Sequence, residues 1–137
     1  MLASAPLMVP LELRVIYGDT DQMGVVYYAN YLRYFEAGRG AFLRAFDRSY
    51  RQIEASGVRM PVVEAHVRYR APAYYDDLIR VETTLAEVRH ASLRFTYAIR
   101  RGEEKGPLAE GETLHACLGP SGKPTRVPET VIQLAGV

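Results

Sequence analysis

The sequence contains no tryptophan, only one cysteine, Cys117, and almost no net charge. A single cysteine excludes an intrachain disulfide and a zinc site built on a cysteine cluster, and it favours a reducing, cytoplasmic compartment. The 17 basic and 16 acidic residues leave a formal charge of +1, which argues against binding of nucleic acid through a basic surface. No apolar run approaches the roughly 18 residues of a membrane helix, so we expect no membrane partner.

What is present is an ordinary globular composition in a chain of 137 residues, of which 48% are hydrophobic and 24% charged. That length fits one domain of about 100–200 residues. Residues 1–10 are apolar but lack the basic start of a signal peptide, and we expect them to form an N-terminal tail before a single domain at 11–137. Composition alone leaves an enzyme, a binding module and an interaction protein as alternatives.

Two periodicities divide the first half of the chain into a strand and a helix. Residues 11–17 alternate between apolar and polar side chains, which predicts a half-buried strand. Apolar residues over about 29–46 recur at spacings of three, four and seven, which predicts a long helix. Gly38 and Gly40 inside it are costly in a helix and indicate that the backbone lies close against a sheet. A short second helix is expected around 50–56.

The second half of the chain is predicted to form strands and a short helical turn at Pro128. Alternating segments place the strands at 62–70, 79–88, 93–100 and 108–118. The breaks between them are too short for parallel crossovers, so we expect a meander of antiparallel strands. Such an α+β layer fits a hotdog fold or a cone-shaped α+β barrel. The single early helix favours the hotdog fold, an antiparallel sheet of about five strands wrapped around one long central helix.

The strongest candidate for chemistry is the polar segment DTDQMG at 19–24. Calcium is not expected there, because Met23 and Asn30 occupy ligand positions of a calcium loop, and the three histidines lack metal-ligand spacing. One aspartate can simply cap the helix or order the turn. Alternatively, a carboxylate lies beside the N–H groups of the helix start, whose partial positive charge can polarise an oxygen. A carboxylate and an oxyanion site are two parts of a hydrolase.

The segment YGDTDQMGVVYYANY at 17–31 resembles the opening motif of the 4-hydroxybenzoyl-CoA thioesterase family of hotdog proteins. This family includes the branch of Tol-Pal-associated acyl-CoA thioesterases. Further matches follow in the same order at 61–63, 69–77 and 122–128, so that the resemblance extends over roughly residues 11–130. It implies a hydrolase that acts on acyl-CoA and needs no cofactor, because CoA is part of the substrate.

The resemblance also implies roles for residues of the opening motif. Asp21 matches the family's catalytic aspartate, which either attacks the thioester carbonyl or activates a water. The backbone N–H of Tyr28 would polarise the thioester oxygen, and Asp19 would shape the loop. The Tol-Pal-associated branch often has a histidine at the position of Tyr28, whereas the hydroxybenzoyl branch has an aromatic residue. The mechanism should therefore rest on Asp21 alone, and the acyl group stays open.

Four further residues are candidate substrate contacts. Tyr17 can line the site, or it can close the end of its strand in the core. Glu64 lies opposite the apolar side chains of its strand, where it is solvated unless that face meets a substrate. Arg89 and His90 align with a turn that supplies basic contacts to the CoA phosphates in the hydroxybenzoyl enzymes, and arginine suits phosphate geometry. A solvated turn is the alternative for this pair.

The resemblance implies a homo-oligomer, either a dimer or a homotetramer. Two sheets would join edge to edge, which covers the open edge of a small sheet, and the active site would lie between subunits. A non-catalytic acyl-CoA binding protein on the same scaffold is the main alternative, because a fold does not establish an activity. A dehydratase of the same superfamily is less favoured, since such enzymes usually pair a histidine with a carboxylate and the opening motif contains no histidine.

Overall fold

The computed structural model describes residues 7–135, except for the side chains of residues 47–50. Five strands and three helices follow one another within this part of the chain, together with short 3-10 turns at Tyr17–Asp19 and Gln133–Ala135. In chain order the elements are β1 (Met8–Arg14), α1 (Asn30–Ala45), α2 (Asp47–Ser56), β2 (Val62–Tyr69), β3 (Leu78–Val88), β4 (Ser92–Arg101), β5 (Ala109–Ala116) and α3 (Glu129–Ile132).

The strands form one antiparallel sheet in the order β1-β3-β4-β5-β2, which confirms the predicted five-stranded antiparallel sheet. The predicted meander of four strands is wrong, because β2 pairs with β5 at one edge of the sheet and not with the next strand, β3. The segment 70–77 crosses the ends of β5 and β4 instead, a distance of about 14 Å for three strand spacings. This segment is long enough to span that distance, so a short connection between two strands does not show that they are neighbours in the sheet.

β1 differs from its predicted boundaries at both ends. It begins at Met8, inside the segment that was expected to be a tail, and residues 1–6 lie outside the described part of the chain. It ends at Arg14, opposite Leu78 of β3; Val15 still exchanges backbone hydrogen bonds with Asp76 and Asp77, both at 2.9 Å, before the N–H of Ile16 turns to the Asp19 carboxylate. Tyr17 therefore lies beyond the strand in a 3-10 turn, with 78% of its surface exposed, and the alternative of a buried strand end is wrong.

The helices follow their local signals. α2 ends at Ser56 and is capped by Gly57, which has the expected left-handed φ of +70°, and α3 begins directly after Pro128. Among the described residues, none of the helices is both long and apolar enough to cross a bilayer.

α1 is the longest helix, with 16 residues, and it packs against one face of the sheet. A Cβ atom at Gly38 would lie 2.5 Å from Thr83 Oγ1 and 2.7 Å from Val81 Cγ1, so the predicted close approach to the sheet is confirmed there. A Cβ atom at Gly40 would meet only the guanidinium group of Arg44 on the same helix, at 3.1 Å. The prediction that Gly40 also lies against the sheet is wrong.

The two glycines should respond to alanine in opposite directions. We expect Gly38→Ala to lower the free energy of unfolding by about 1–3 kcal/mol, because the added methyl group overlaps two sheet side chains. Gly40→Ala should raise it by up to about 1 kcal/mol, since alanine has the better helix propensity and the Arg44 side chain can move aside. Urea unfolding of both variants measures the difference, and equal effects at the two positions would contradict the packing of α1.

A chain of hydrogen bonds runs beneath α1 between the helix and the sheet. The carbonyl of Met60 can only accept, so His115 Nδ1 donates to it at 2.9 Å and the neutral ring accepts through Nε2. The Thr113 hydroxyl therefore donates to His115 Nε2 at 2.8 Å and accepts from the Tyr97 hydroxyl at 2.6 Å. Tyr97 in turn accepts from Arg39 Nη1 at 3.0 Å. The chain has one direction, from Arg39 to Met60.

The neutral state of His115 predicts a pH dependence of stability. Burial, opposed by the bond to Met60 and assisted by the charge of Arg39, lowers the pKa of His115 below its ordinary value of 6.5. As the pH falls below about 6.5, the unfolded chain takes up a proton that the folded chain does not, and stability decreases. We expect the wild type to lose more unfolding free energy between pH 7 and 5 than His115→Gln, with the exposed His66→Gln as control. Equal losses in all three proteins would contradict a neutral buried His115.

Candidate functional site

The loop between β1 and α1 forms a tight turn that presents Asp21. Thr20 and Val26 form an antiparallel bridge, and between them the N–H of Gly24 donates to the carbonyl of Asp21 at 2.9 Å. Asp21 Oδ1 accepts the N–H of Met23 at 2.9 Å, while Oδ2 accepts no hydrogen bond from the described residues. Gly24 has φ = +81°, a conformation in which other residues are strained. The turn leaves one carboxylate oxygen of Asp21 available.

The other aspartate of the motif, Asp19, is buried and joins the loop to α1. Its carboxylate accepts from the Tyr34 hydroxyl at 2.8 Å, from Arg33 Nη1 at 3.1 Å and from the N–H of Ile16 at 3.2 Å. Only 3% of the surface of Asp19 is exposed. Burial, followed by the bond to Asp19, raises the pKa of the Tyr34 hydroxyl above its ordinary value, so Tyr34 stays a neutral donor.

The carbonyl of Asp19 holds the chain just before the helix. It accepts from the N–H of Tyr27 and from Asn30 Nδ2, both at 2.9 Å. Asp19 thus connects the turn with the start of α1 through both its side chain and its backbone, which supports the expected loop-shaping role.

The start of α1 offers two N–H groups that no described residue binds. Neither the N–H of Tyr28 nor that of Ala29 donates a hydrogen bond within residues 7–135, and Ala29, the N-cap, provides no side-chain cap. The carbonyl of Tyr28 accepts from the Tyr69 hydroxyl at 2.9 Å, which fixes the helix start to the end of β2. Unbonded N–H groups with the partial positive charge of a helix start can bind an oxygen that carries negative charge.

Asp21 and Tyr28 line the same cavity, which has a volume of about 330 Å³. Its walls are mainly apolar and aromatic, and they include Val26, Tyr31 and Tyr69. The ring of Tyr69 meets those of Tyr31 and Tyr28 edge to face, with centroids 5.2 and 6.5 Å apart. The structure therefore brings together the two residues predicted to be catalytic.

Sequence reasoning missed the tyrosines at 31 and 69 as cavity residues. Tyr69 belongs to a segment that matched the family, but its position at the end of β2 gave no sign that it reaches the helix start. Tyr31 lies one helical turn after Tyr28, a spacing at which side chains share a face, and this signal was available. The Tyr31 hydroxyl accepts the N–H of Ala73 at 3.3 Å, so it also ties the helix to the 70–77 segment.

The predicted substrate contacts Tyr17 and Glu64 do not line this cavity. Tyr17 packs edge to face on Tyr75 with ring centroids 5.9 Å apart. Glu64 lies on the edge strand β2 opposite Leu114 in register, and an irregularity at Val63 shifts the alternation of the strand there. The face that carries Glu64 is the one turned away from α1, because the neighbouring pair Ala65–Thr113 borders a groove beside the helix.

Arg89 and His90 are exposed in the turn between β3 and β4, where Arg89 pairs with Glu87 at 2.6 Å. The loop that carries Asp21 packs at the opposite end of β3. There the N–H of Val26 donates to the carbonyl of Ala73 at 2.8 Å, in the segment that leads into the first residue of β3. The length of β3 separates the two places by roughly 36 Å at about 3.3 Å per residue. Within one chain, the turn is therefore remote from Asp21, and its contact with CoA stays a prediction.

Within the described part of the chain, no three side chains of His, Cys, Asp or Glu converge as metal ligands would.

Comparison with known proteins matches residues 15–134 to the sequence family described as the thioesterase-like superfamily. The acyl-CoA thioester hydrolase YbgC of Escherichia coli is 36% identical over 121 residues, which are 88% of this chain and 90% of that protein. The crystal structure of protein TT1821 from Thermus thermophilus has a TM-score of 0.82 at 38% identity and covers 94% of this chain and 95% of its own.

A third similar structure is that of Slr0204, a 1,4-dihydroxy-2-naphthoyl-CoA thioesterase from Synechocystis. It has a TM-score of 0.83 at 25% identity and covers 93% of this chain and 95% of its own. The hotdog thioesterase fold is thereby confirmed, whereas no comparison singles out the 4-hydroxybenzoyl-CoA branch of the expected family. The matched segment includes four of the five strands, β2 to β5, and all three described helices, and the chain belongs to the thioesterase-like superfamily.

Proposed function

We propose that this protein is an acyl-CoA thioesterase, which hydrolyses a thioester to a free acid and CoA. The observation that carries the proposal is the shared cavity of Asp21 and the helix start at Tyr28. One Asp21 oxygen and the Tyr28 N–H both lack hydrogen-bond partners among the described residues. The names of relatives such as the acyl-CoA thioester hydrolase YbgC support the same activity.

In the proposed reaction, the thioester oxygen binds the Tyr28 N–H and the carbonyl carbon faces Asp21. Asp21 either attacks that carbon, which expels the CoA thiolate and leaves an acyl–aspartyl anhydride that water then hydrolyses, or removes a proton from a water that attacks the carbon. In both routes the CoA sulfur takes up a proton that the water releases, so the products are the free acid and the thiol. The negative charge that develops on the oxygen is stabilised by the N–H and by the helix start, an interaction worth about 3–4 kcal/mol in other hydrolases. Water is the only co-reactant, so the proposal requires no cofactor.

We further propose that the active site lies between two subunits joined through β2. β2 is an edge strand, and its residues Val62 and Val63 are 47% and 55% exposed. Tyr69 at the end of this strand lines the cavity, so a second copy on β2 would border it. The distance between Arg89 and Asp21 within one chain also supports a shared site, because a CoA phosphate contact would then come from the other subunit. Pairing of two such dimers would give the expected tetramer. We place this assembly in the cytoplasm.

The proposal is tested by following thiol release from a panel of short-chain, long-chain and aromatic acyl-CoAs. We expect turnover of at least one class, and the preferred class identifies the acyl group. Calorimetric titration with the same compounds measures their binding separately from their turnover. Binding of acyl-CoA without any thiol release would contradict the hydrolase and support a non-catalytic acyl-CoA binding protein.

A further inference from the structure

A second groove, of about 350 Å³, runs between α1 and the edge strand β2. One wall is an exposed stripe of α1 that includes Leu32, Glu36 and Arg39, and the other wall includes Val62 and Ala65. The groove opens beside the unpaired edge of the sheet, because β2 has no neighbour on its outer side among the described residues.

Two opposite charges in this groove lack ionic partners among the described side chains. Glu36 is exposed and makes no hydrogen bond or ion pair with any residue in 7–135 whose side chain is described. Arg39 donates only to the Tyr97 hydroxyl in the same part of the chain, at 3.0 Å, and forms no ion pair. The two side chains lie three positions apart and so share a helix face, yet they do not pair with each other.

The guanidinium of Arg39 is held in place before any partner binds. Its bond to Tyr97 is the first member of the chain that continues through Thr113 and His115 to the carbonyl of Met60. An ordered cation loses less side-chain freedom when it meets an anion, which favours its use at an interface. The remaining donors of the guanidinium are directed at no described acceptor.

We propose that a second copy of this chain covers the groove, and that Glu36 of each copy pairs with Arg39 of the other. A two-fold axis brings the same patch of two copies together, so that contact between two positions occurs twice. Copies joined through β2 place their α1 helices on the same side of a continuous sheet and in opposite directions. This inference rests on the assembly proposed above, and the two ion pairs would set the register of one subunit against the other. Charge complementarity of this kind contributes mainly orientation and specificity.

Charge reversal tests the pairing. Glu36→Arg and Arg39→Glu each place two like charges at both contacts, and we expect the dimer dissociation constant to rise at least tenfold. An equimolar mixture of the two variants should form a heterodimer, because every contact between unlike chains is then attractive. The double variant should dimerise more tightly than either single variant, because both contacts are again attractive. Glu12→Arg on the opposite edge strand is the control for the change in charge. Sedimentation velocity over a concentration series measures the constants, and native mass spectrometry identifies the heterodimer.

Each outcome of this experiment decides one point. A wild-type dimer that tolerates both reversals, or variants that fail to form the heterodimer, would overturn the pairing and leave the assembly standing. A monomeric wild type would overturn both. A dimer with the predicted response but without thiol release from any acyl-CoA would support the pairing and contradict the thioesterase. Because Glu36 is exposed and outside the hydrogen-bond chain, Glu36→Arg carries the test even where Arg39→Glu lowers the melting temperature.

Discussion

Replacing Asp21 with asparagine is expected to lower kcat for thioester hydrolysis by roughly 10²–10⁴-fold, the usual contribution of a positioned acid or base. The reason is chemical, because an amide neither attacks a thioester efficiently nor takes a proton from water. The turn should survive, since the asparagine Oδ1 can still accept the N–H of Met23 as Asp21 does at 2.9 Å. Steady-state kinetics with the best acyl-CoA of the panel give kcat and KM separately.

Asp21→Ala is the matched second variant, because it removes both the chemistry and the bond to Met23. Its activity should fall as far as that of Asp21→Asn, with an added loss of stability of about 0.5–1.5 kcal/mol for one hydrogen bond. Acyl-CoA affinity, measured by calorimetry, should stay close to that of the wild type in the asparagine variant. If Asp21→Asn hydrolyses as fast as the wild type, Asp21 serves only the turn.

Single turnovers of the wild type in heavy-oxygen water distinguish attack by Asp21 from attack by water, because a covalent route first labels the carboxylate of Asp21.

Asp19→Ala is expected to lower the free energy of unfolding by about 3–5 kcal/mol, the range for a broken buried polar network. The substitution leaves the Tyr34 hydroxyl and the N–H of Ile16 without an acceptor. Water cannot easily replace the carboxylate, because only 3% of the surface of Asp19 is exposed. The bond to Arg33 contributes little to this value, because the Arg33 side chain is 62% exposed and the ion pair is screened by solvent. Urea unfolding at constant pH measures the change.

Asp19→Asn is the matched control for this position. The amide oxygen still accepts from one donor, so the loss of stability should fall to about 1–2 kcal/mol. Its kcat should also decrease, because the Asp19 carboxylate connects the loop that carries Asp21 to α1 through Tyr34 and Arg33. An Asp19→Ala protein within about 1 kcal/mol of the wild type would show that the network does not hold the loop.

The local parts of the site were predictable because their causes are local. The turn at 19–24 depends on an aspartate that binds a backbone N–H two positions away and on a glycine with positive φ. The long helix follows from its apolar period, and the end of α2 follows from Gly57, the glycine that caps it. Antiparallel pairing followed from the short connections between strands.

Other predictions failed where the cause was a distant partner. Gly40 carried the same sequence signal as Gly38, but only Gly38 faces Val81 and Thr83 of the sheet. Tyr17 continued the alternation of its strand, but the chain turns away from the sheet after Val15, where the N–H of Ile16 binds the Asp19 carboxylate. Periodicity describes one segment, and it carries no information about where the neighbouring strand starts or which element covers a residue.

By itself, the amino-acid sequence determined that this protein is a small, nearly neutral domain with one cysteine and a carboxylate turn before its long helix. It also carried the thioesterase-like resemblance. Only the tertiary structure decided that β2 is an edge strand, that Tyr69 reaches the helix start, and that Arg39 is joined to Met60 through His115. These features depend on contacts between residues far apart in the chain. Such contacts form only when α1 packs against the sheet, and no local pattern encodes them.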